Sequence, residues 1–445
     1  MYTKESEEHQ FSFTHDWFVV PEVDENHELI KIAKAIDWVS VSEKLSRFYC
    51  ADNGRPAKPS RAKVGLLILK HLYRYSDAEL VDLIKRDIYA QYLCDVSLKE
   101  AKNFINSSTL SKFRKQIGVE GIKLIEQEVF KSLQRTKLLK GRRLVCDTTV
   151  VPSDIAYPTD VSLLNKVRQK AVQYLDTARQ FGAKTFRTYK RTARRVFITY
   201  QKIRHHTTQS RRRVQRKLLQ FSRRNINQLK EAMDTIAADT HKIAGNTKDK
   251  FIKEVQPFLD TASAILAQQK DVYHGLPVKE RIVSVHKPHI RPMVRGKYPV
   301  EVEFGPKVLF NLKNKCLFLE SLNFANVSDA NLLGPAIDAY KERFGTYPSQ
   351  LSTDRGFWSK ENYRLAEEKN ISKIAIENKG KSSYLAHKPF RERMRRFRCS
   401  IEAKISLAKR KYGLDRIRYH IAGGEEMWIR LGLMAMNLKT ATAYG

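Results

Sequence analysis

Leu144-Val145-Cys146-Asp147-Thr148-Thr149-Val150-Val151 is apolar and β-branched, the composition of a strand buried inside a sheet, and one carboxylate interrupts it. An acid in such a strand is costly unless a metal ion or a cation compensates it. Asp147 is therefore the first candidate functional residue, in a strand predicted over residues 142–151.

Further strand signals lie downstream at residues 281–285, 303–310 and 315–322. Residues 329–344 read as a helix, and Gly345-Thr346-Tyr347-Pro348 turns the chain into Gln350-Leu351-Ser352-Thr353-Asp354. A helix at 359–369, a strand at 371–376 and a long basic helix at 390–412 follow. With the intervening helical segment and the short signal at 281–285 next to it left uncounted, the order is three strands, helix, strand, helix, strand, helix. That order predicts an α/β fold, a mixed five-stranded sheet with helices on its faces. Asp354 ends the fourth strand just before Gly356, which permits a sharp turn. If its strand neighbours that of Asp147, the two carboxylates converge at one sheet edge.

The last of these helices has a buried stripe of Met394, Phe397, Ile401, Ile405, Ala408 and Tyr412 at three- and four-residue steps. Arg395, Arg398, Glu402 and Lys409 line a neighbouring face, one carboxylate among three cations. A structural salt-bridge row gives the same pattern. The chemical reading is that Asp147, Asp354 and Glu402 hold two divalent ions, roughly 3.5–4 Å apart, for an in-line displacement at phosphorus. Oxygen ligands suit Mg²⁺, with Mn²⁺ as a substitute. Arg398 and Lys409 would then hold flanking phosphates.

Charge agrees with that substrate. Lys and Arg number 82 against 48 Asp and Glu in 445 residues, a formal net charge of +34. Such an excess favours a nucleic acid or an anionic membrane surface. The longest apolar stretch near the C-terminus, Met427 to Leu438, is broken by Arg430 and too short to span a bilayer, and residues 1–18 lack a signal-peptide pattern. The expected location is cytoplasmic and nucleoid-associated. Five scattered cysteines with no Cys-x2-Cys pair argue against a zinc knuckle and a disulfide scaffold.

Four segments are expected: a helical, DNA-binding region at 1–140, the first core strand at 141–160, a basic helical insertion at 161–278, and the rest of the core at 279–445. In the first, Ser76-Asp77-Ala78-Glu79 is a capping box. Asn106 caps a helix over 109–117 whose outer side carries Lys112, Arg114 and Lys115, a face that suits either a helix-turn-helix reader or plain solvation. In the insertion, apolar spacing predicts a long helical hairpin turning near Gly245-Asn246. No acid occurs between Asp176 and Glu231, a span holding Arg211-Arg212-Arg213 and interleaved aromatics. It suits contact with phosphates, or a solvated arm that meets a partner subunit. His286 and His289 lack further ligands at metal-site spacing and read as loop histidines beside DNA. Asp160 reads as a turn-stabilising residue after Pro158.

At the catalytic residues the chain resembles bacterial insertion-sequence transposases of the DDE type, in the branch with the signature Tyr-x2-Arg-x3-Glu-x6-Lys. Arg398, Glu402 and Lys409 match in register, and Arg395 stands at the tyrosine position. Similar stretches are Asp147-Thr148-Thr149, Ile155-Ala156-Tyr157-Pro158-Thr159-Asp160, His286-Lys287-Pro288-His289-Ile290-Arg291-Pro292 with Arg295-Gly296-Lys297, Asp354-Arg355-Gly356, and, in the helical region, Gly54-Arg55-Pro56 and Ser76-Asp77-Ala78-Glu79-Leu80. The resemblance implies a ribonuclease-H-like core, cleavage at terminal inverted repeats and attack of the freed 3′-hydroxyl on target DNA. It also implies a homodimer that brings two ends together. A metal-dependent nuclease or resolvase, or a DNA-binding protein with structural acids, are the competing classes.

Overall fold

The computed structural model describes residues 23–50, 56–238, 245–294, 302–376 and 388–443. Two compact units emerge, Met1–Asp154 with Pro306–Gly445, and Ile155–Gly305. The strands among the described residues are β1 (Arg143–Val150), β2 (Pro292–Val294), β3 (Val302–Phe304), β4 (Lys307–Lys313), β5 (Cys316–Asn323), β6 (Gln350–Thr353) and β7 (Lys373–Ile376).

In the first unit five of them form one mixed sheet in the order β5-β4-β1-β6-β7. β4 runs antiparallel to β1 and β5, whereas β6 runs parallel to β1 and β7. This is the α/β architecture that the element order implies, with helices on both faces. Side-chain alternation along β1 divides its residues between two cores. Leu144 and Cys146 pack with Leu309, Leu351, Ile337 and Tyr340, beneath the helices Leu333–Phe344 and Lys360–Glu368. Val145 faces the other way, into a core with Ile401, Ile405 and Ala408 of the helix Lys388–Tyr412. Burial on both sides is why the segment reads as an apolar, β-branched run interrupted only by Asp147.

The helical region before β1 belongs to that second core. Ser60–Tyr73 and Ser107–Arg135 pack with the helix Gly424–Thr442, whose Met427, Ile429, Leu431, Leu433 and Met436 are fully or almost fully buried. The apolar C-terminal stretch is thus interior, and no helix among the described residues is long and apolar enough to cross a membrane. At the sheet's β5 edge, the Asn437 amide pairs with both Leu317 N–H and Leu317 C=O, at 3.0 and 2.9 Å, in place of a further strand.

Local signals held where capping chemistry is strict. The Ser76–Glu79 capping box opens the helix Asp77–Ile84. The helix expected over 109–117 begins two residues earlier, at Ser107, and breaks where expected, at the non-helical Gly118 (φ 57°, ψ −162°), beyond which a second helix continues to Arg135; the Asn106 side chain makes no capping bond. Residues 281–285 form no strand, and the run at 303–310 is split by Gly305-Pro306 between β3 and β4. Proline has no N–H for a ladder, which explains the break.

The second unit holds the helices Asp160–Ala178, Lys190–Gln201, Thr208–Ala238 and Gly245–His274, and the two-stranded antiparallel sheet of β2 and β3. Leu163, Val167, Ala171, Ile226, Leu229, Val255 and Leu259 share its core. Gly245 and Asn246, near which the hairpin turn is expected, open the helix Gly245–His274, and residues 239–244 before them lie outside the described residues, as do Arg295, Gly296, Lys297, Gly54 and Arg55.

Candidate active site

Parallel pairing aligns Arg143 with Gln350, Leu144 with Leu351 and Val145 with Ser352. Carried two residues on, the same register sets Asp147 beside Asp354. Adjacent strands stand about 4.8 Å apart, so the two carboxylates start from neighbouring backbone positions at one end of the sheet. By alternation from Val145, Asp147 projects to the face covered by the helix Lys388–Tyr412. Each acid is oriented by a backbone donor: Thr148 N–H to Asp147 Oδ1 at 2.8 Å, and Gly356 N–H to Asp354 Oδ1 at 2.9 Å.

The covering helix is fastened to β1 at two levels. Near the start of β1 the Arg143 guanidinium stacks over the Phe397 ring at 3.4 Å. Near its end Lys409 Nζ donates to Thr149 Oγ1 at 2.9 Å and to Val150 C=O at 2.8 Å. Glu402 lies between these anchors in sequence, and Asp147 lies between their partners. The Glu402 side chain is 57% exposed and directed along its own helix, 3.7 Å from Arg398 Nε. Among the described residues no three of His, Cys, Asp and Glu form a group able to hold a metal ion. The register thus sets Asp147 and Asp354 at neighbouring backbone positions and leaves Glu402 on the facing helix beside Arg398. The donor set of the pair, carboxylate oxygens oriented by backbone amides, fits a hard divalent cation.

A further acid at this end of the sheet was missed by sequence reading. Asp329, at the start of the turn before the helix Leu333–Phe344, accepts from Thr148 Oγ1 at 2.8 Å and from Lys307 Nζ at 2.6 Å through Oδ1. Its Oδ2 closes against Gly356: a Cβ there would lie 2.6 Å from Asp329 Oδ2 and 3.2 Å from Asp354 Oδ1. Gly356 is thus fixed by space rather than by a left-handed backbone. In the sequence Asp329 looks like any acidic residue in a first helical turn, so no local pattern marks it.

The expected DNA-binding residues divide. Lys112 and Lys115 are exposed, as are Arg395, Arg211, Arg212, Arg213, His286 and His289. Arg114 is not on the outer side: it is 6% exposed, chelates Asp77 with bonds of 3.1 and 2.5 Å, and stacks over Tyr419 at 4.5 Å. Its partner Asp77 is also contacted by Lys70, at 2.9 Å. Burial raises the Asp77 pKa, but these two cations outweigh it and hold the carboxyl below its ordinary value. Lys409 spends two of its three donors on β1. Asp160, in the second unit, accepts from Gln269 at 2.8 Å and from Arg281, a structural role.

Comparison with known proteins bears on the family of the chain. Residues 19–116 match the family model described as "Transposase domain (DUF772)", and residues 306–438 match "Transposase DDE domain". The second match contains Asp354 and Glu402, and Asp147 lies outside both. A protein of Rhizobium meliloti, "Uncharacterized protein ORF8 in nfe locus", is 34% identical over 168 residues, which is 37% of this chain and 78% of that protein. No solved structure matches. Its sheet is the ribonuclease-H-like core of the DDE domain, and the chain belongs to the insertion-sequence DDE transposases.

Proposed function

We propose that this transposase cleaves the terminal inverted repeats of its insertion sequence and joins the freed 3′-hydroxyls to target DNA, with Asp147, Asp354 and Glu402 as its metal-holding carboxylates. The observation that supports this reading is the β1–β6 register, which pairs Val145 with Ser352 and, extended by two residues, sets Asp147 level with Asp354 just past the end of β6. Bound Mg²⁺ or Mn²⁺ would supply Lewis-acid activation of the attacking oxygen and neutralise charge on the leaving oxygen.

The chain's own groups do the positioning. Backbone N–H bonds from Thr148 and Gly356 fix the two aspartates before substrate arrives, so little reorganisation is left for the reaction. Glu402 leaves Arg398 to complete the set, and Arg398 and Arg395 then face the scissile strand's phosphates. Lys112 and Lys115 contact the element ends, while Arg211, Arg212 and Arg213, with His286 and His289, contact flanking or target DNA. A homodimer synapses the two ends.

The test is a reaction of the full-length protein with labelled element-end duplexes, Mg²⁺ and a target plasmid. Cut ends and joined products are expected, and Glu402→Gln should bind the duplex and cut nothing. Cuts without joined products would identify a nuclease or resolvase. Undiminished activity in Glu402→Gln would make the acids structural.

A further inference from the structure

The second unit contains a buried guanidinium that no carboxylate balances among the described residues. Arg168, on the helix Asp160–Ala178, is 3% exposed. Its Nε and Nη2 both donate to one neutral acceptor, Asn165 Oδ1, at 3.3 and 2.9 Å. Burial alone pulls its pKa below the ordinary arginine value, and no neighbouring carboxylate acts against it among the described residues. A cation so placed is costly until an anion arrives.

Arg168 lines a cavity of about 430 Å³ together with Gln169 and Gln173 of its own helix and Lys190, Arg191 and Arg194 of the next. The three rim cations are exposed. One acid stands close by, Asp176, 3.5 Å from Lys190. The helix Lys190–Gln201 begins at this rim with no side-chain cap, so its first N–H groups add to the positive field. Four cations against one acid, with two amides between them, suit a compact, multiply charged oxyanion, and the guanidinium fork matches phosphate geometry.

We infer that this cavity binds a phosphate group, with Arg168 at its base and Arg191 and Arg194 at its rim. In a chain that acts on DNA the group is a backbone phosphate, and a small phosphate ester offers the same chemistry. The duplex measurement below rests on the proposed function, whereas the inorganic phosphate measurement does not.

Full-length protein is compared with Arg168→Gln and Arg194→Gln by thermal unfolding in inorganic phosphate against chloride at equal ionic strength, and by duplex binding over a salt series. Phosphate should raise the wild-type midpoint by at least about 1 °C, as binding to the folded state requires. Arg168→Gln should lose that rise while unfolding no earlier than wild type in chloride, since it removes an unbalanced charge. Arg194→Gln, on the exposed rim, should reduce the rise. A fall of about 0.9 in the duplex salt slope of Arg168→Gln assigns a DNA phosphate; an unchanged slope with the phosphate rise intact in wild type assigns a small ester. Equal phosphate responses in all three proteins would overturn the inference. So would earlier unfolding of Arg168→Gln in chloride with Arg194→Gln unaltered, because Arg168 would then be a structural partner of Asn165. Absence of duplex binding by wild type, with its phosphate rise retained, would count against the DNA reading alone and leave the cavity a small-ester site.

Discussion

The Thr148 hydroxyl donates to Asp329 Oδ1 at 2.8 Å, and this bond ties the residue after Asp147 to the loop whose Oδ2 closes on Gly356. Asp329 is therefore a clamp between the two backbone segments that carry Asp147 and Asp354. Thr148→Val deletes the bond at nearly constant volume, and Asp329→Asn deletes the charge that Lys307 balances. Each should slow end cleavage about 10- to 100-fold by misplacing the reacting groups. Duplex affinity should stay within a factor of two or so, since neither side chain adds to phosphate binding. Single-turnover cleavage beside equilibrium binding checks this, and an equal loss in both would sink the clamp.

Gly356 supplies a second, coupled test. Alanine there sets a methyl group 2.6 Å from Asp329 Oδ2, and the carboxylate, held by Thr148 and Lys307, has little room to retreat. Gly356→Ala should lower cleavage at least about 100-fold through displacement of Asp354. Shortening the opposing side chain relieves the contact, so Gly356→Ala with Asp329→Ser should be more active than Gly356→Ala alone. Such non-additivity is the mark of residues in direct contact. Strictly additive losses in a double-mutant cycle would count against it.

These contacts show where sequence reading reaches and where it stops. The run from Leu144 to Val151 announces a doubly buried strand, and the spacing of Arg398, Glu402 and Lys409 announces a helix face, because both patterns are periodic and local. The pairing of Asp147 with Asp354 needed only a guess about strand neighbours, and the register supplied it. Asp329 was invisible, since Thr148, Lys307 and Gly356, the groups it meets, lie 181 and 22 residues upstream and 27 residues downstream, and nothing in its own segment departs from an ordinary helix start. Arg114 misled for the opposite reason. Its helix looks amphipathic with a basic outer face, but Asp77 and Tyr419, distant in sequence, make that position interior.

His71 gives the fold a pH dependence of definite sign. It is fully buried, its Nδ1–H donates to Tyr412 C=O at 2.9 Å, and burial, with Lys70 and Arg114 nearby, pushes its pKa down to about 3. Unfolded, the same group titrates near its ordinary value of about 6.5, so between these values the unfolded state binds the additional proton. Stability from this group is complete above about pH 6.5 and falls as pH drops toward 3. Over the first 1.5 units or so below that value the loss amounts to about 2 kcal/mol. Asp77, held low by Arg114 and Lys70, adds a dependence of the same sign only below its unfolded value of about 3.9. Urea midpoints at pH 7 and pH 5 should differ for wild type, and His71→Asn, which keeps a donor near Tyr412, should flatten the difference. An identical pH dependence in the variant would remove His71 as its source.

Lys409 closes the sequence signature, and its contacts define what it does. Its ammonium bonds Thr149 Oγ1 and Val150 C=O, which seats the helix bearing Glu402 against the strand bearing Asp147. Lys409→Met keeps the aliphatic stem and removes both charge-assisted bonds, at a cost of about 1.5–3 kcal/mol for a bond to a charged group. A helix loosened from β1 carries Glu402 with it, so cleavage should fall along with stability. A phosphate clamp predicts something else, a duplex salt slope reduced by about 0.9 with the unfolding midpoint unchanged. Urea denaturation and salt-dependent binding of Lys409→Met therefore separate the two roles. The bonds to β1 favour lost stability with an unaltered slope, and the reverse pair of results would return Lys409 to the DNA.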